Sequence, residues 1–548
     1  MRETFANAIH IFGWLVIVVA LFLSLCFGLS FSLPLWAHGS IGFMPALALA
    51  LLIAVVSFAV FVGLAAFTFQ RRASKEGTET KAFGNPKLVL LVSFVFIWAS
   101  YFFALLSVYP GFCSNDSMVT INQALGNFDP NDMFLRDGLS NHQPVIYTAI
   151  VALISFITGT TDIEHIAFIT ILLQMTFMAI MLAWSVSWLD RHACPRLLLV
   201  FIVAAVALCP VFIVHAITLW KDGPFCVLLL AFALRSYDVA MGQKLQVRDA
   251  VSLGMLALFA SLFRNNGFYI VVVSLLILLI LSPAARKHLA VCLCALAAVY
   301  LVIQGPIFSL AGVKPSPFAE SVGIPLQQIA LVSIEDGLEP EQAEFMEPMI
   351  PVERMNSVYL SYSANPIKFD EDFNNEYLEA HKGQFLATWA SVVRNHPATA
   401  LKAWVLHTEG IWSFSENAEI GTSSSYNETS PVDLIGLGWD PRDLFNRLQR
   451  HFPILFSKGL LVWAVAWIGM FSFAIQKKQR KGVALVFLPA LVLFLTMMIA
   501  IPSGWDYRYV LYYAMFLPYA LYFVTPAVGQ TCEDGTGSLR QHRGKHAA

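Results

Sequence analysis

Long apolar runs without charge divide this sequence, and they restrict its fold more than any other feature. A membrane-crossing helix needs about 20 apolar residues to span roughly 30 Å of hydrocarbon. The runs that reach or approach this length are 11–33, 43–69, 88–109, 164–188, 197–217, 223–238, 250–263, 267–283, 289–305, 457–475, 483–501 and 508–526. We therefore expect an all-α membrane protein with about 12 transmembrane helices. The runs at 223–238, 250–263 and 267–283 are short. The chain is 57% hydrophobic and only 13% charged, against roughly a quarter charged for an average soluble chain. That density cannot coat a globule, which excludes a cytosolic enzyme, a disordered regulator and a fibrous protein. A net charge of −2 gives no basic field for nucleic acid. The eight cysteines include no CxxC, so no disulfide framework or zinc site is legible.

Lysine and arginine in short loops set orientation. Arg71, Arg72, Lys75, Lys81 and Lys87 lie between the second and third runs, and Lys477, Lys478, Arg480 and Lys481 between the tenth and eleventh. Arg191 with Arg196, Lys244 with Arg248, and Arg286 with Lys287 mark three more basic loops. The alternate loops carry few: Arg136 in 110–143 and Lys221 near 218–222. The basic loops and both termini are thus expected in the cytoplasm, with the protein in the plasma (inner) membrane. The first run reads as a span and not a cleaved signal, being too long for a signal core. One further apolar run, 144–159, would invert every later loop if it crossed. We read it as an outer juxtamembrane or re-entrant helix.

The expected organisation follows. Residues 1–87 hold two N-terminal transmembrane helices and a basic cytoplasmic loop, and 88–305 a transmembrane core with a first outer loop at 110–163. Residues 306–456 form a larger outer loop domain, 457–526 three C-terminal transmembrane helices, and 527–548 a disordered cytoplasmic tail. At the end of the outer domain, 396–412 has apolar residues at near-helical spacing, suiting either a helix lying flat at the headgroups or an ordinary core helix.

Ionisable groups near apolar segments are costly and are candidate sites for that reason. Asp116, in YPGFCSNDS, follows a span broken by Pro110 and Gly111. Its carboxylate can act as a general base or hold a divalent metal; alternatively it caps the helix that follows. Asp222, in LWKDGPF, stands beside Lys221 at another helix start, where a capping role is equally open. His142, in NHQPVIYT, can shuttle protons or bind metal, or is a solvated loop histidine. Arg264, in LFRNNGFY, interrupts two apolar helices and suits phosphate, or is simply part of a polar turn. Arg508, in DYRYVLYY, can hold a lipid phosphate, or pairs locally with Asp506. No P-loop, HExxH or GxSxG is present, which argues against ATP-driven transport and zinc proteolysis.

The phrases YPGFCSNDS, NHQPVIYT, LWKDGPF, VGIPLQQIA and DYRYVLYY lie within residues 88–526. This pattern resembles a bacterial family of uncharacterised multispan proteins and, in architecture and loop position, the GT-C superfamily of membrane glycosyltransferases. The resemblance implies a GT-C-like bundle, a polyprenyl-phosphate-linked sugar as donor, an envelope acceptor and chemistry on the outer face. By position, Asp116 matches the first-loop acid and Asp222 the second-loop acid, as catalytic residues; GT-C members often carry two acids in the first loop, but Asn115 and Ser117 flank Asp116 here. His142, Lys221, Arg264 and Arg508 are the expected substrate-binding residues, and a divalent cation (Mg or Mn) is possible. A non-ATP-driven transporter or lipid flippase, or a non-catalytic envelope assembly protein, is the alternative. Transporter sites usually sit near the bilayer midplane, whereas these charges lie at helix ends.

Overall fold

The computed structural model describes residues 13–73, 82–129, 135, 138–242, 245–414, 431–504 and 506–525. The side chains of Arg71 and Arg72, with Lys75, Lys81, Arg136, Lys244 and the tail 527–548, lie outside the described residues. Among the described residues the fold is helical, with only isolated β-bridges. Its helices are α1 (Trp14–Ala37), α2 (Phe43–Ala73), α3 (Pro86–Ser107), α4 (Asn115–Leu125), α5 (Val145–Thr158), α6 (Ile163–Arg191), α7 (Arg196–Leu208), α8 (Pro210–Ala216), α9 (Asp222–Met241), α10 (Val247–Phe263), α11 (Gly267–Leu281) and α12 (Arg286–Val302). After several short helices come α13 (Gly323–Glu335), α14 (Lys382–Asn395), α15 (Pro397–Trp412), α16 (Pro441–His451), α17 (Lys458–Ile475), α18 (Arg480–Ala500) and α19 (Leu511–Ala520).

Large aliphatic side chains cover the outside of this bundle. Phe22 (66% exposed), Val55 (65%), Leu197 (86%) and Ile499 (72%) point outward. Contiguous apolar surface on this scale is stable only against lipid. Among the described residues eight helices are long and apolar enough to cross a membrane, one of them running Pro283–Leu310 through α12 and its flanking turns, and the α7–α8 pair, bent by 52°, makes nine. The bend falls at Cys209–Pro210: the proline ring offers no N–H and holds Cys209 extended at φ −71°, ψ 125°. The other three runs expected to span fold as shorter pieces. α10 has 17 residues, α11 has 15, and 507–524 breaks into a 3-10 turn, the 10-residue α19 and a second 3-10 turn. On length, the count of about 12 is therefore not reached.

Two of these shorter pieces still join the two ends of the bundle. α10 begins at the Asp249–Arg235 ion pair (2.8 Å) and ends at the Arg264–Asp222 pair (2.9 Å). It is thus clamped to α9 at both extremities, about 25 Å apart along the helix. The 507–524 segment begins where Arg508 meets Asp116 and finishes where Gln476 donates to the carbonyls of Phe523 and Thr525. α5, of 14 residues, does not carry the chain across. It starts beside Asn141, and the following α6 has its early Phe168 against Tyr109, at the same end as Asp116. Basic side chains of the connections collect at the opposite end: Arg196 donates to the Ala82 carbonyl (2.9 Å) and Lys477 covers the Phe69 ring.

Helices between Phe318 and Asn395 bury a second apolar cluster around Leu326, Ile329, Met346, Met355, Phe385 and Val392. Its link to the bundle is α15. Val405, Ile411 and Trp412 of α15 belong to the bundle core, while Gln328 of α13 donates to the Ala400 carbonyl at 3.0 Å. Residues 397–412 therefore pack as a core helix. An apolar crevice of about 680 Å³ opens between α1, α2 and α17, lined by Phe27, Val56, Phe61 and Trp467 among others.

Candidate functional site

All six residues singled out in the sequence come to the end of the bundle that faces the 318–412 helices. The scaffold is a short backbone exchange between two loops. Phe112 N–H donates to Ile217 (2.9 Å), and Leu219 N–H donates back to Phe112 (2.9 Å). Ser114 caps α4 and forms a capping box with Ser117, whose hydroxyl donates to the Leu219 carbonyl (2.7 Å). Trp220 Nε1 donates to Ser114 Oγ. Because Ser114 is the cap, Asp116 is released from that role. It sits in the first turn of α4, where a carboxylate also suits the positive end of the helix. The alternative in which Asp116 caps α4 is not met.

Asp116 Oδ2 pairs with Arg508 Nη1. Arg508 Nε reaches Asp506 Oδ2 at 2.6 Å, so the guanidinium bridges two carboxylates from separate parts of the chain. Asp222 opens α9 but makes no side-chain cap; its carboxylate, 2% exposed, faces Arg264 Nη1 at 2.9 Å. Tyr509 joins the two pairs, its ring lying 5.2 Å from the Arg264 guanidinium and 5.4 Å from that of Arg508. Trp220 and Phe225 cover the remaining faces of these cations. Lys221 donates to Gln143 Oε1, and both aspartates act on it electrostatically.

The electrostatics follow from burial and pairing. Burial pushes the Asp116 pKa up, but Arg508, Lys221 and His142 together outweigh it and hold the carboxyl well below the usual carboxylate range. Burial pushes the Lys221 ammonium down, against the two aspartates. His142 is also pushed down, chiefly by burial and then by Lys221 and Lys368, while Glu320 and Asp116 oppose this. His142 therefore lies within reach of both the bundle cluster and the buried Lys368–Glu320 pair (2.9 Å) of the neighbouring helices. Its loop is tied down by Asn141, whose N–H donates to the Lys314 carbonyl (2.8 Å) and whose side chain donates to Gln304 (3.1 Å).

Chemically, the arrangement concentrates three cations opposite internal carboxylates, two of them, Arg264 and Arg508, between aromatic faces. Such a site can exchange an internal anion for an incoming phosphate. A carboxylate held so low accepts a proton poorly, which weakens Asp116 as a base. Among the described residues no three His, Cys, Asp or Glu side chains gather as metal ligands. With each aspartate engaged by an arginine, the donor set does not fit a divalent cation. Sequence reasoning missed Gln143, Trp220, Tyr509, Glu320 and Lys368. The first three stand inside the quoted phrases NHQP, LWKD and DYRY, so their proximity to the site was readable although their contacts were not.

Comparison with curated proteins gives no match, and comparison with solved structures gives none. A family model described as a family of unknown function, DUF6020, matches residues 130–534. The matched stretch takes in His142, Lys221, Asp222, Arg264 and Arg508 and begins after Asp116. The chain, with its apolar bundle and this charged end, belongs to the DUF6020 family.

Proposed function

We propose that the protein is a membrane glycosyltransferase of GT-C type, moving a sugar from a polyprenyl-phosphate donor to an envelope acceptor. The charged end is placed on the outer face of the plasma membrane, and the basic connections with both termini in the cytoplasm. All 12 apolar runs, the short ones included, are taken as membrane-embedded. The observation that carries the reading is the convergence of Asp116, Asp222, Lys221, Arg264 and Arg508 in one cluster at one end of an apolar-surfaced bundle.

A lipid-linked sugar phosphate brings its own leaving group. The protein must then neutralise the departing phosphate, orient the acceptor hydroxyl and keep the site dry. In this reading Arg508, Lys221 and Arg264 hold the phosphate, and Asp116 and Asp222 preset those cations and position the acceptor. His142 and the Glu320–Lys368 pair line the acceptor side. Transport is disfavoured because the cluster lies at helix ends and not midway along a discontinuous helix.

The test is a chromosomal deletion followed by comparison of envelope glycans, with complementation by wild type, Asp116→Asn and Asp222→Asn. The reading expects one glycan to disappear, to return with wild type, and to stay absent or scarce with either variant. An unchanged glycan profile in the deletion strain contradicts it.

A further inference from the structure

The two carboxylates read as acid–base groups are each held by an arginine, which leaves open where the hydroxyl proton of an acceptor goes. One buried base at this end is not engaged. His215, on α8, is 1% exposed. Its Nδ1 lies 2.7 Å from the Val211 carbonyl, and a carbonyl only accepts, so Nδ1 carries the proton. Nε2 is then an unprotonated lone pair, and among the described residues it has no hydrogen-bond partner. A buried, unsatisfied ring nitrogen is costly unless it serves something.

The surroundings connect this nitrogen to the cluster. The imidazole lies 5.8 Å from the Trp220 ring and 6.0 Å from that of Tyr507, and Trp220 carries the Arg508 guanidinium at 5.8 Å. Asp506 and Asp222 are the charged groups acting on it. From α16, which packs against α8, Asp440 and Arg442 are paired with each other at 2.7 Å. The α6 neighbour presents Gln174, whose amide donates to the Ala216 and Thr218 carbonyls and holds the His215 turn in place. The bend at Pro210 sets the direction of this short helix, so that His215 lies at the cluster end of the pair.

Resting on the glycosyl-transfer reading, we propose that His215 Nε2, and neither aspartate, is the proton acceptor of the site. The acceptor oxygen forms its bond to the anomeric carbon as its proton passes to Nε2. The bond between that carbon and the phosphate oxygen breaks, and its electron pair leaves on the polyprenyl phosphate. The imidazolium formed is stabilised by Asp506 and Asp222, and loses its proton to solvent between turnovers.

The experiment uses membrane vesicles carrying the full chain. They are supplied in turn with polyprenyl-phosphate-linked glucose, galactose, mannose and N-acetylglucosamine, each radiolabelled on the sugar, from pH 5.5 to 9. His215→Asn keeps a donor for the Val211 carbonyl but has no basic nitrogen, and His215→Gln places an amide near the Nε2 position. Wild type is expected to lose rate at the acid end of this range through one ionisation, the protonation of Nε2. Both variants should fall about 10²–10³-fold at pH 7.5, lose that ionisation from their residual rate, and keep the donor KM. Equal detergent-extraction yield and melting temperature show that the variants fold. The proposal is overturned if either folded variant keeps its rate within about threefold, or if a slowed variant retains the same pH profile as wild type. If no labelled sugar moves in wild-type vesicles and deletion leaves the glycans unchanged, the glycosyl-transfer reading fails and this role falls with it.

Discussion

The Asp222–Arg264 pair gives the sharpest energetic prediction. Its partners stand 2.9 Å apart with side chains 2% and 13% exposed, and the rings of Phe225 and Tyr509 flank the guanidinium. Removing one member of such a pair strands the other in a dry environment, at a cost of about 3–5 kcal/mol. Replacing both with uncharged groups of similar size removes the stranded charge and restores much of that loss. Asp222→Asn and Arg264→Met should therefore each destabilise by about 3 kcal/mol or more. The double variant should lie well above the sum of the two, with a coupling of about 2–3 kcal/mol. The full chain in detergent, unfolded by SDS titration and followed by tryptophan fluorescence, supplies the four stabilities of the cycle. The Arg235–Asp249 pair at the far end (2.8 Å, 20% and 28% exposed) is the control, expected to couple by about 1 kcal/mol or less. Losses at Asp222 and Arg264 that add within about 0.5 kcal/mol would refute the reasoning, because the groups would then not meet.

Three other outcomes are expected. Arg508→Lys keeps the charge but cannot bridge Asp116 and Asp506, so glycan complementation should fall at least tenfold while the protein still accumulates. Burial lowers the His407 pKa to about 4 from its ordinary 6.5. A depressed histidine is neutral in the folded chain while the unfolded chain takes up a proton, so stability present above pH 6.5 is lost as pH falls towards 4, by about 3 kcal/mol in all; melting curves should show His407→Gln with a shallower acid decline. A methyl at Gly504 would overlap the His407 carbonyl oxygen. Gly504→Ala should therefore cost about 1–3 kcal/mol and, by shifting the turn that leads to Asp506 and Arg508, reduce complementation as well.

What the sequence revealed follows from the range of the forces involved. Uncharged runs are local, so the long spans α1, α2, α3, α6, α17 and α18, with the one through α12, were readable from hydropathy alone, while the short run at 223–238 folds as the 20-residue α9. α10, α11 and the 507–524 segment were not settled by it, because the contacts that hold them are distant. α10 is fixed by ion pairs at its two ends, and the last segment by Arg508 at one end and Gln476 at the other. The site was legible as a set of residues, since a charge beside an apolar run signals itself. Its pairing was not. Nothing near Asp116 in the sequence announces Arg508, and the cap expected of Asp116 belongs to Ser114. His215 escaped notice because its significance lies in what Nε2 fails to contact, which no local pattern encodes.

The central claim is that the Lys221–Arg264–Arg508 cluster receives a lipid-linked phosphate, and direct binding tests it most closely. Purified full-length protein can be titrated with polyprenyl monophosphate and, separately, with the uncharged polyprenol of equal length, using native mass spectrometry to count bound lipid. The account predicts that the phosphate form binds at least tenfold more tightly than the alcohol, and that this preference disappears in Arg508→Gln and Lys221→Gln. Equal binding of the two lipids, or a preference that survives both substitutions, would contradict it.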